Sequence, residues 1–381
     1  MSADAAVTAR PLARRVSAFV EEVVRPNAAA MACGEGPSPD ALVREAGRRH
    51  LAGLLLPRED GGAEASHVEF AQFIEDVARV CASSAVILDV HLSVGSEPLL
   101  MFGTHAQRSR HLPVIARGEC TAAFALTEPG SGSDAAALAT RAERDGPGYR
   151  LTGSKAFITN CGAAGVYVVM ARTGPGTRGI TAFIVTADAA GLSFGTPLHK
   201  MGLAGSWTGE LTLDGVFVAA DDRLGAEGEG FRVAMSALDS GRVGISAQAV
   251  GIAQGCVDDM LAARSRSGGG DDTVLADIHA RTSAARLLCR HAAALADGAG
   301  GVTRDAAIAK LYATDTCVAA AHAAVEVCAP ESARAEHPAA TRLRDAKAAQ
   351  IYEGTNQVQR VVIARSVLRG GAPSTGDAQA Y

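Results

Sequence analysis

The apolar residues of this chain change period twice, and that switch limits the fold more than any other feature. From Pro11 to about Gly118 the spacing is helical: Val16, Phe19, Val20, Val23 and Val24 form one apolar face, and Phe70, Phe73, Ile74, Val77 and Val80 form another. The breakers Gly34-Glu35-Gly36-Pro37 and Asp60-Gly61-Gly62 separate these helices. After Glu119 the pattern becomes short β-branched or alternating runs at residues 121–126, 149–160, 166–171, 179–185 and 209–218, divided by Gly, Pro and Asp turns, which predicts a small antiparallel β domain. Helical spacing returns at about Phe231, and segments near 233–263, 272–296, 304–328 and 341–368 predict four long helices with Ala or Gly where they approach one another. The expected order is an N-terminal all-α domain (1–118), a middle antiparallel β domain (119–230), a C-terminal four-helix domain (231–369) and a flexible tail (370–381), with Gly268-Gly269-Gly270 a second flexible candidate.

Composition narrows the function classes. A chain of 381 residues, 48% apolar and 20% charged, has ample material for globular cores. The net charge of −5, with arginines scattered among acids, gives no basic stripe, so nucleic acid is not an expected partner. Residues 1–15 lack the apolar core of a signal peptide, and no run is expected to reach the roughly 20 apolar residues that cross a bilayer, so the expectation is a cytoplasmic protein without membrane contact. Eight cysteines are spread singly, without metal-ligand spacing, and read as buried thiols of a reducing compartment; no metal is expected.

One carboxylate stands out. In Ile351-Tyr352-Glu353-Gly354-Thr355-Asn356-Gln357, Glu353 falls where a helical pattern breaks and restarts: Ala348 and Ile351 lead in, Val358, Val361, Val362 and Arg365 lead out, Gly354 reads as a C-terminal stop and Thr355 as the next N-cap. A carboxyl removed from water at such a corner gains proton affinity above its usual value of about 4.3 and suits removal of a proton from carbon. The alternative is a solvated glutamate at a helix end.

Four separated motifs then give a family resemblance. Phe124-Ala125-Leu126-Thr127-Glu128-Pro129-Gly130-Ser131-Gly132-Ser133-Asp134 follows the first expected strand, Phe157-Ile158-Thr159-Asn160 ends another, Leu238-Asp239-Ser240-Gly241-Arg242 opens the late helical part, and residues 351–357 close it. In order and spacing, over roughly residues 10–370, these resemble the acyl-CoA dehydrogenase family. The resemblance implies FAD, an acyl thioester on CoA or on an acyl carrier protein, α,β-dehydrogenation, an electron-transfer flavoprotein as acceptor, and a homodimer or homotetramer. It implies Glu353 as the base, with its backbone N–H on the thioester carbonyl. Phe124, Ala125, Leu126, Thr127, Gly132 and Ser133 are implied on one face of the flavin, and Phe157, Ile158 and Thr159 on the other. Thr355, Gln357 and Arg264 are implied toward the FAD diphosphate and adenine half. Ser133, Asp239, Arg242, Tyr352 and Gly354 are implied against the substrate. Some relatives place the base at the position that aligns with Gly241, where glycine cannot serve.

The same comparison exposes two departures. The family's Arg-x-x-Phe-Gly element corresponds to a stretch from Arg264 to Leu275 that lacks the phenylalanine, with Arg266 an alternative match for its arginine. The Gln-x-x-Gly-Gly turn corresponds to Glu326-Val327-Cys328-Ala329-Pro330, which adds a negative charge and removes an N–H where a phosphate is expected. Three readings stay open: a flavin dehydrogenase with rearranged FAD binding, an FAD-deficient subunit of a heteromer whose second dehydrogenase-like chain completes the cofactor site, and a flavin-free acid–base enzyme on the same fold.

Overall fold

Pro11 sits just ahead of the first helix, where its fixed φ and missing N–H cost nothing. In a computed structural model that describes residues 11–267, 272–298 and 301–368, the segments Leu12–Phe19, Val20–Val24 (one π turn) and Arg25–Cys33 form a continuous helix, α1, ended by left-handed Gly34. Pro39–Gly47 is α2. Helix α3, His67–Val80, starts at a capping box in which the Glu69 N–H donates to Ser66 Oγ (3.2 Å) and the Ser66 N–H donates back to Glu69 (2.9 Å). Helix α4, Ala82–Leu92, is buried on every face; α5, Glu97–Phe102, and α6, His105–Ala116, complete the N-terminal helices. On composition the 21-residue stretch Ala82–Phe102 is apolar enough to cross a bilayer, contrary to expectation, but it divides into α4 and α5 and 83% of its most apolar window is buried within the fold.

Eight strands follow: β1 Ala122–Ala125, β2 Arg141–Asp145, β3 Gly148–Thr159, β4 Val166–Arg172, β5 Ile180–Thr186, β6 Leu192–Phe194, β7 Thr208–Ala219 and β8 Arg223–Leu224. They pair in the order β6-β7-β3-β2-β4-β5-β8, with β1 also on β4. The ladders are antiparallel except that β1 runs parallel to β4 and β2 meets β4 in parallel at a single pair. The sheet is therefore mixed, because β1 reaches β4 only after the β2–β3 hairpin intervenes; side-chain alternation along one strand says nothing about its partner's direction. The unbroken apolar run of β4 is buried on both sides, with Val166, Val168 and Met170 in one core and Tyr167, Val169 and Ala171 in another.

The C-terminal helices are α7 Gly230–Ser267, α8 Thr273–Ala296, α9 Thr303–Val327, α10 Pro338–Ala349 and α11 Asn356–Leu368. The expected fourth helix is thus two, broken at residues 350–355. Helices α7 and α9 pack together, and buried Ala249, Ala253, Cys256, Ala313, Cys317 and Ala320 belong to one shared core, where cysteine acts as a small apolar residue. Six of the eight thiols are buried; Cys33, the last residue of α1, is exposed, and Cys120, in the bend ahead of β1, is half-buried. The expected tail, 370–381, and the glycine run, 268–270, lie outside the described residues.

A histidine pins helical segments distant in sequence. His67 Nε2 lies 3.0 Å from Glu97, and its Nδ1 lies 2.8 Å from Asp297, beyond the end of α8. Burial disfavours the charged ring, but hydrogen bonds and attraction to Glu97 and Asp297 outweigh it and raise the group to about 9 from 6.5. A folded-state value above the unfolded one stabilises the fold fully below about 6.5, and that stability is lost as pH rises through about 9. Thermal unfolding of the wild type is expected to shift to lower temperature across this window, and His67→Gln to lose that part of the pH dependence; parallel curves for the two proteins would remove the cluster from the stability account.

Candidate active site

Helix α10 stops at Ala349, earlier than the expected stop at Gly354, and Ile351 lies outside any helix, 56% exposed. Two consecutive left-handed residues, Glu353 (φ 51°) and Gly354 (φ 85°), then reverse the chain. Glycine takes this conformation freely, whereas glutamate pays on the order of 1 kcal/mol for it. Surrounding hydrogen bonds hold the corner: Gln359 Nε2 donates to the carbonyls of Glu353 (3.2 Å) and Gly354 (2.8 Å), and Lys310 Nζ of α9 donates to the Gly354 carbonyl (2.8 Å) and Asn356 Oδ1 (3.1 Å). Thr355 is the N-cap as expected, its Oγ1 accepting from the Val358 N–H at 3.2 Å. An L-residue held left-handed by side chains from two helices marks a site where position matters more than local stability.

The corner turns the Glu353 carboxyl into the protein. A methyl group at Gly241 of α7 would overlap Glu353 Oε2 and come within 2.8 Å of Val94 Cγ1, so the carboxyl occupies the space that a side chain at 241 would need. Oε2 is buried and has no hydrogen-bond partner among the described residues. Burial pushes the group up to about 7, and positive Lys310 and Arg242 keep it from rising further. The carboxyl is therefore not a solvated helix-end group. Lys310 is itself pushed down to about 7 by burial, against the pull of Glu353. Arg242 is 3% exposed and donates to Asp239 at 2.6 Å, while Thr303 Oγ1 donates to the other Asp239 oxygen at 2.5 Å. Burial raises Asp239 despite that partner, so Asp239 and Arg242 form a buried pair rather than a surface one. Tyr352 donates to Gln248, which donates onward to the Ala82 carbonyl at 2.9 Å.

The other motifs form an adjacent surface. Residues 127–134 make a stiff loop: Lys155 pairs with Glu128 at 2.7 Å in the interior, and Glu128 accepts the N–H groups of Ala139 (2.6 Å) and Thr140 (3.0 Å). Burial lowers Lys155 to about 8 against the attraction of Glu128. Phe124 and Thr127 are half-buried, Ala125 and Leu126 are buried, and Gly132 and Ser133 are exposed. A methyl group at Gly132 would meet nothing, so the chain's own packing does not require glycine there. A bulge between Lys155 and Ile158 puts Phe157 in a left-handed conformation (φ 57°) with its ring 66% exposed, while Ile158 is buried and Thr159 half-buried. The Ala156 N–H donates to the Thr127 carbonyl at 2.9 Å, tying this bulge to the loop, and Asn160 Nδ2 donates to the Ile87 carbonyl of α4 at 3.2 Å. A strained, outward-facing aromatic beside an open glycine loop fits the flat ring of a flavin. Of the residues expected toward the diphosphate half, Arg264 is paired with Asp272 at 2.7 Å, Thr355 Oγ1 serves its cap and Gln357 is exposed, and Glu326 is exposed at the end of α9.

Sequence reasoning passed over Asp89, Lys310, Gln359 and the carboxyl-seating role of Gly241. A lone acid within the apolar run of α4 was the available signal for Asp89; Lys310 carried none, because its partners lie about 45 residues away, and Gln359 carried none, because its bonds depend on the reversed corner at 353–354. A separate cleft of about 1150 Å³ between α1, α3, α7 and α10, lined by Phe73, Arg79, Asp258, Arg342 and Asp345 among others, contains none of the expected site residues.

Three family models match in succession: acyl-CoA dehydrogenase N-terminal domain over residues 8–119, middle domain over 123–216 and C-terminal domain over 228–368. The chain is 42% identical to an acyl-CoA dehydrogenase of Bacillus subtilis, over 87% of this chain and 90% of that protein. It is also similar to the structure of butyryl-CoA dehydrogenase from Megasphaera elsdenii, with TM-score 0.90, 34% identity and coverage of 94% and 97% of the two chains. The prolyl acyl carrier protein oxidase AnaB gives TM-score 0.87 and 26% identity over 96% and 99%.

Gly241→Ala is expected to leave the fold intact, since alanine favours a helix interior over glycine by roughly 0.5–1 kcal/mol, and to displace the Glu353 carboxyl toward solvent. Its titration midpoint, followed by carboxyl NMR, should fall from about 7 toward that of an exposed glutamate. A midpoint unchanged by the substitution would mean that the carboxyl is not seated on the glycine.

Proposed function

Because the chain belongs to the acyl-CoA dehydrogenase family, oxidoreductases acting on CH–CH bonds, we propose that Glu353 is its base and takes the α-proton of an acyl thioester. The supporting observation is a half-buried glutamate whose Oε2 is buried, without a hydrogen-bond partner among the described residues, and whose proton affinity is raised to about 7. A base poised near the working pH is ionised often enough to act and basic enough to accept a proton from carbon. FAD, when bound, supplies the two-electron acceptor that completes the oxidation. The chain's own residues do the rest. Lys310 and Gln359 fix the corner so that the carboxyl keeps one position, and the backbone N–H of Glu353 would hold the thioester carbonyl, where negative charge develops. Phe157, Ile158 and Thr159 on one side, and Phe124, Ala125, Leu126, Thr127, Gly132 and Ser133 on the other, would hold the flavin ring. Tyr352 and Gly354 border the acyl group. The buried Asp239–Arg242 pair stands toward the carrier arm. The higher identity to the butyryl-CoA dehydrogenase favours CoA as carrier, and AnaB keeps a protein-bound thioester in the comparison.

The diphosphate side supports a second reading, in which another dehydrogenase-like chain completes the cofactor site. Arg264 is occupied by Asp272, and Glu326 is exposed where a phosphate-binding turn is expected. The absorption spectrum of the purified chain separates the two: flavin bound at about one per subunit supports the homomeric enzyme. A colourless chain that turns yellow only with a second chain co-expressed supports the heteromer, and a chain colourless in both states returns the flavin-free alternative.

Glu353→Gln is expected to retain flavin and substrate binding but to abolish bleaching of the flavin by acyl thioester, a loss of at least about 1000-fold in rate. Wild-type bleaching in this variant would place the base elsewhere. Comparing acyl-CoA with the same acyl group on a carrier protein identifies the thioester used. The rate of proton removal should rise with pH through about 7, as the carboxyl ionises. In Lys310→Met the lost positive charge should move that rise to higher pH, and a rise at the wild-type position would remove Lys310 from the electrostatics of the base.

A further inference from the structure

Two carboxyl groups, not one, are seated on the glycines of α7. A methyl group at Gly241 would overlap Glu353 Oε2, and one at Gly244 would overlap Asp89 Oδ1, with Asp89 Oδ2 3.0 Å away. Positions 241 and 244 lie one turn apart on the same helix face, so the two groups are neighbours along one strip. Asp89 is 0% exposed, and Ser93 Oγ donates to its Oδ1 at 3.1 Å. The remaining oxygen, Asp89 Oδ2, is buried without a hydrogen-bond partner among the described residues, as is Glu353 Oε2. With no donor to either oxygen among the described residues, two buried acceptors on neighbouring carboxyl groups are a place where one shared proton would satisfy both.

We propose that Asp89 is the proton-sharing partner of Glu353: Asp89 stays in the acid form and donates its proton in a hydrogen bond to the ionised Glu353 carboxylate. Two buried carboxylates side by side cannot both ionise without a large Coulomb cost, and such a pair loses its protons in two separated steps. The charges around the pair decide which group ionises first. Glu353 faces Lys310 of α9 and Arg242 of α7, both of which favour its anion. Burial disfavours the Asp89 anion, as do the nearby charges of Glu353 and of Glu97 on α5, while Ser93 donates to it; Tyr352, donating to Gln248, is a further titratable group near both. Asp239 is paired with Arg242 and accepts a hydrogen bond from Thr303. Glu353 is therefore the first to lose its proton and Asp89 the second. Asp89 acts as a positioning residue: its O–H holds the base in place and lowers the pH at which the base becomes available. That consequence rests on Glu353 being the base; the shared proton does not.

The test is a carboxyl-carbon NMR titration of the full chain labelled in aspartate and glutamate side chains, with signals assigned by loss in Asp89→Asn and Glu353→Gln. In Glu353→Gln, Asp89 should lose its proton at a pH lower by at least about one unit, a tenfold change in affinity. In Asp89→Leu, which places an apolar side chain in an apolar setting, Glu353 should titrate about one unit higher, and Asp89→Asn, whose amide still donates, should restore part of the difference. An Asp89 midpoint identical in wild type and Glu353→Gln overturns the proposal, and this comparison stands whether or not the leucine variant folds. Coupled midpoints together with wild-type flavin bleaching in Glu353→Gln would support the shared proton while rejecting Glu353 as the base, so the two readings fail separately.

Discussion

The seating of the Glu353 carboxyl on Gly241 is the constraint around which the site is arranged. It requires a helix with no side chain at one buried position, a corner bent the wrong way for an L-residue, and polar clamps that keep the corner from relaxing. The fold meets all three by bringing α4, α7, α9 and the break between α10 and α11 to one place. Burial raises the proton affinity of a carboxyl in that seat, and the positive Lys310 and Arg242 limit the rise.

The β sheet contributes by contrast an exposed surface. Its interior is ordinary, with β4 splitting two apolar cores by simple alternation. The exceptional feature is the bulge that turns Phe157 outward, at the same level as the loop stiffened by the buried Lys155–Glu128 pair. A buried ion pair is weak support for stability, but one that also captures two backbone N–H groups fixes loop shape. Asn160 then ties the end of β3 to α4, so the outward aromatic and the inward carboxyl are held on a common frame.

Local signals were readable wherever a single segment carries the whole cause. The period of the apolar residues located α3, β4 and β7 to within a few residues, and the Thr355 cap was visible because capping is a three-residue interaction. The helix break was visible too, but its position was misplaced at Gly354, because a glycine suggests a stop and nothing in the sequence says that Glu353 is left-handed as well. The direction of β1 depended on segments far away in the chain.

The sequence by itself determined the order of helical, β and helical parts, the family, and Glu353 as the residue to watch, since periodicity and motif spacing are properties of contiguous residues. Only the tertiary structure decided what environment that glutamate has. Its neighbours Gly241, Asp89, Lys310 and Arg242 come from three helices separated by up to hundreds of residues, and desolvation and Coulomb interaction depend on distance in space, which no local pattern records.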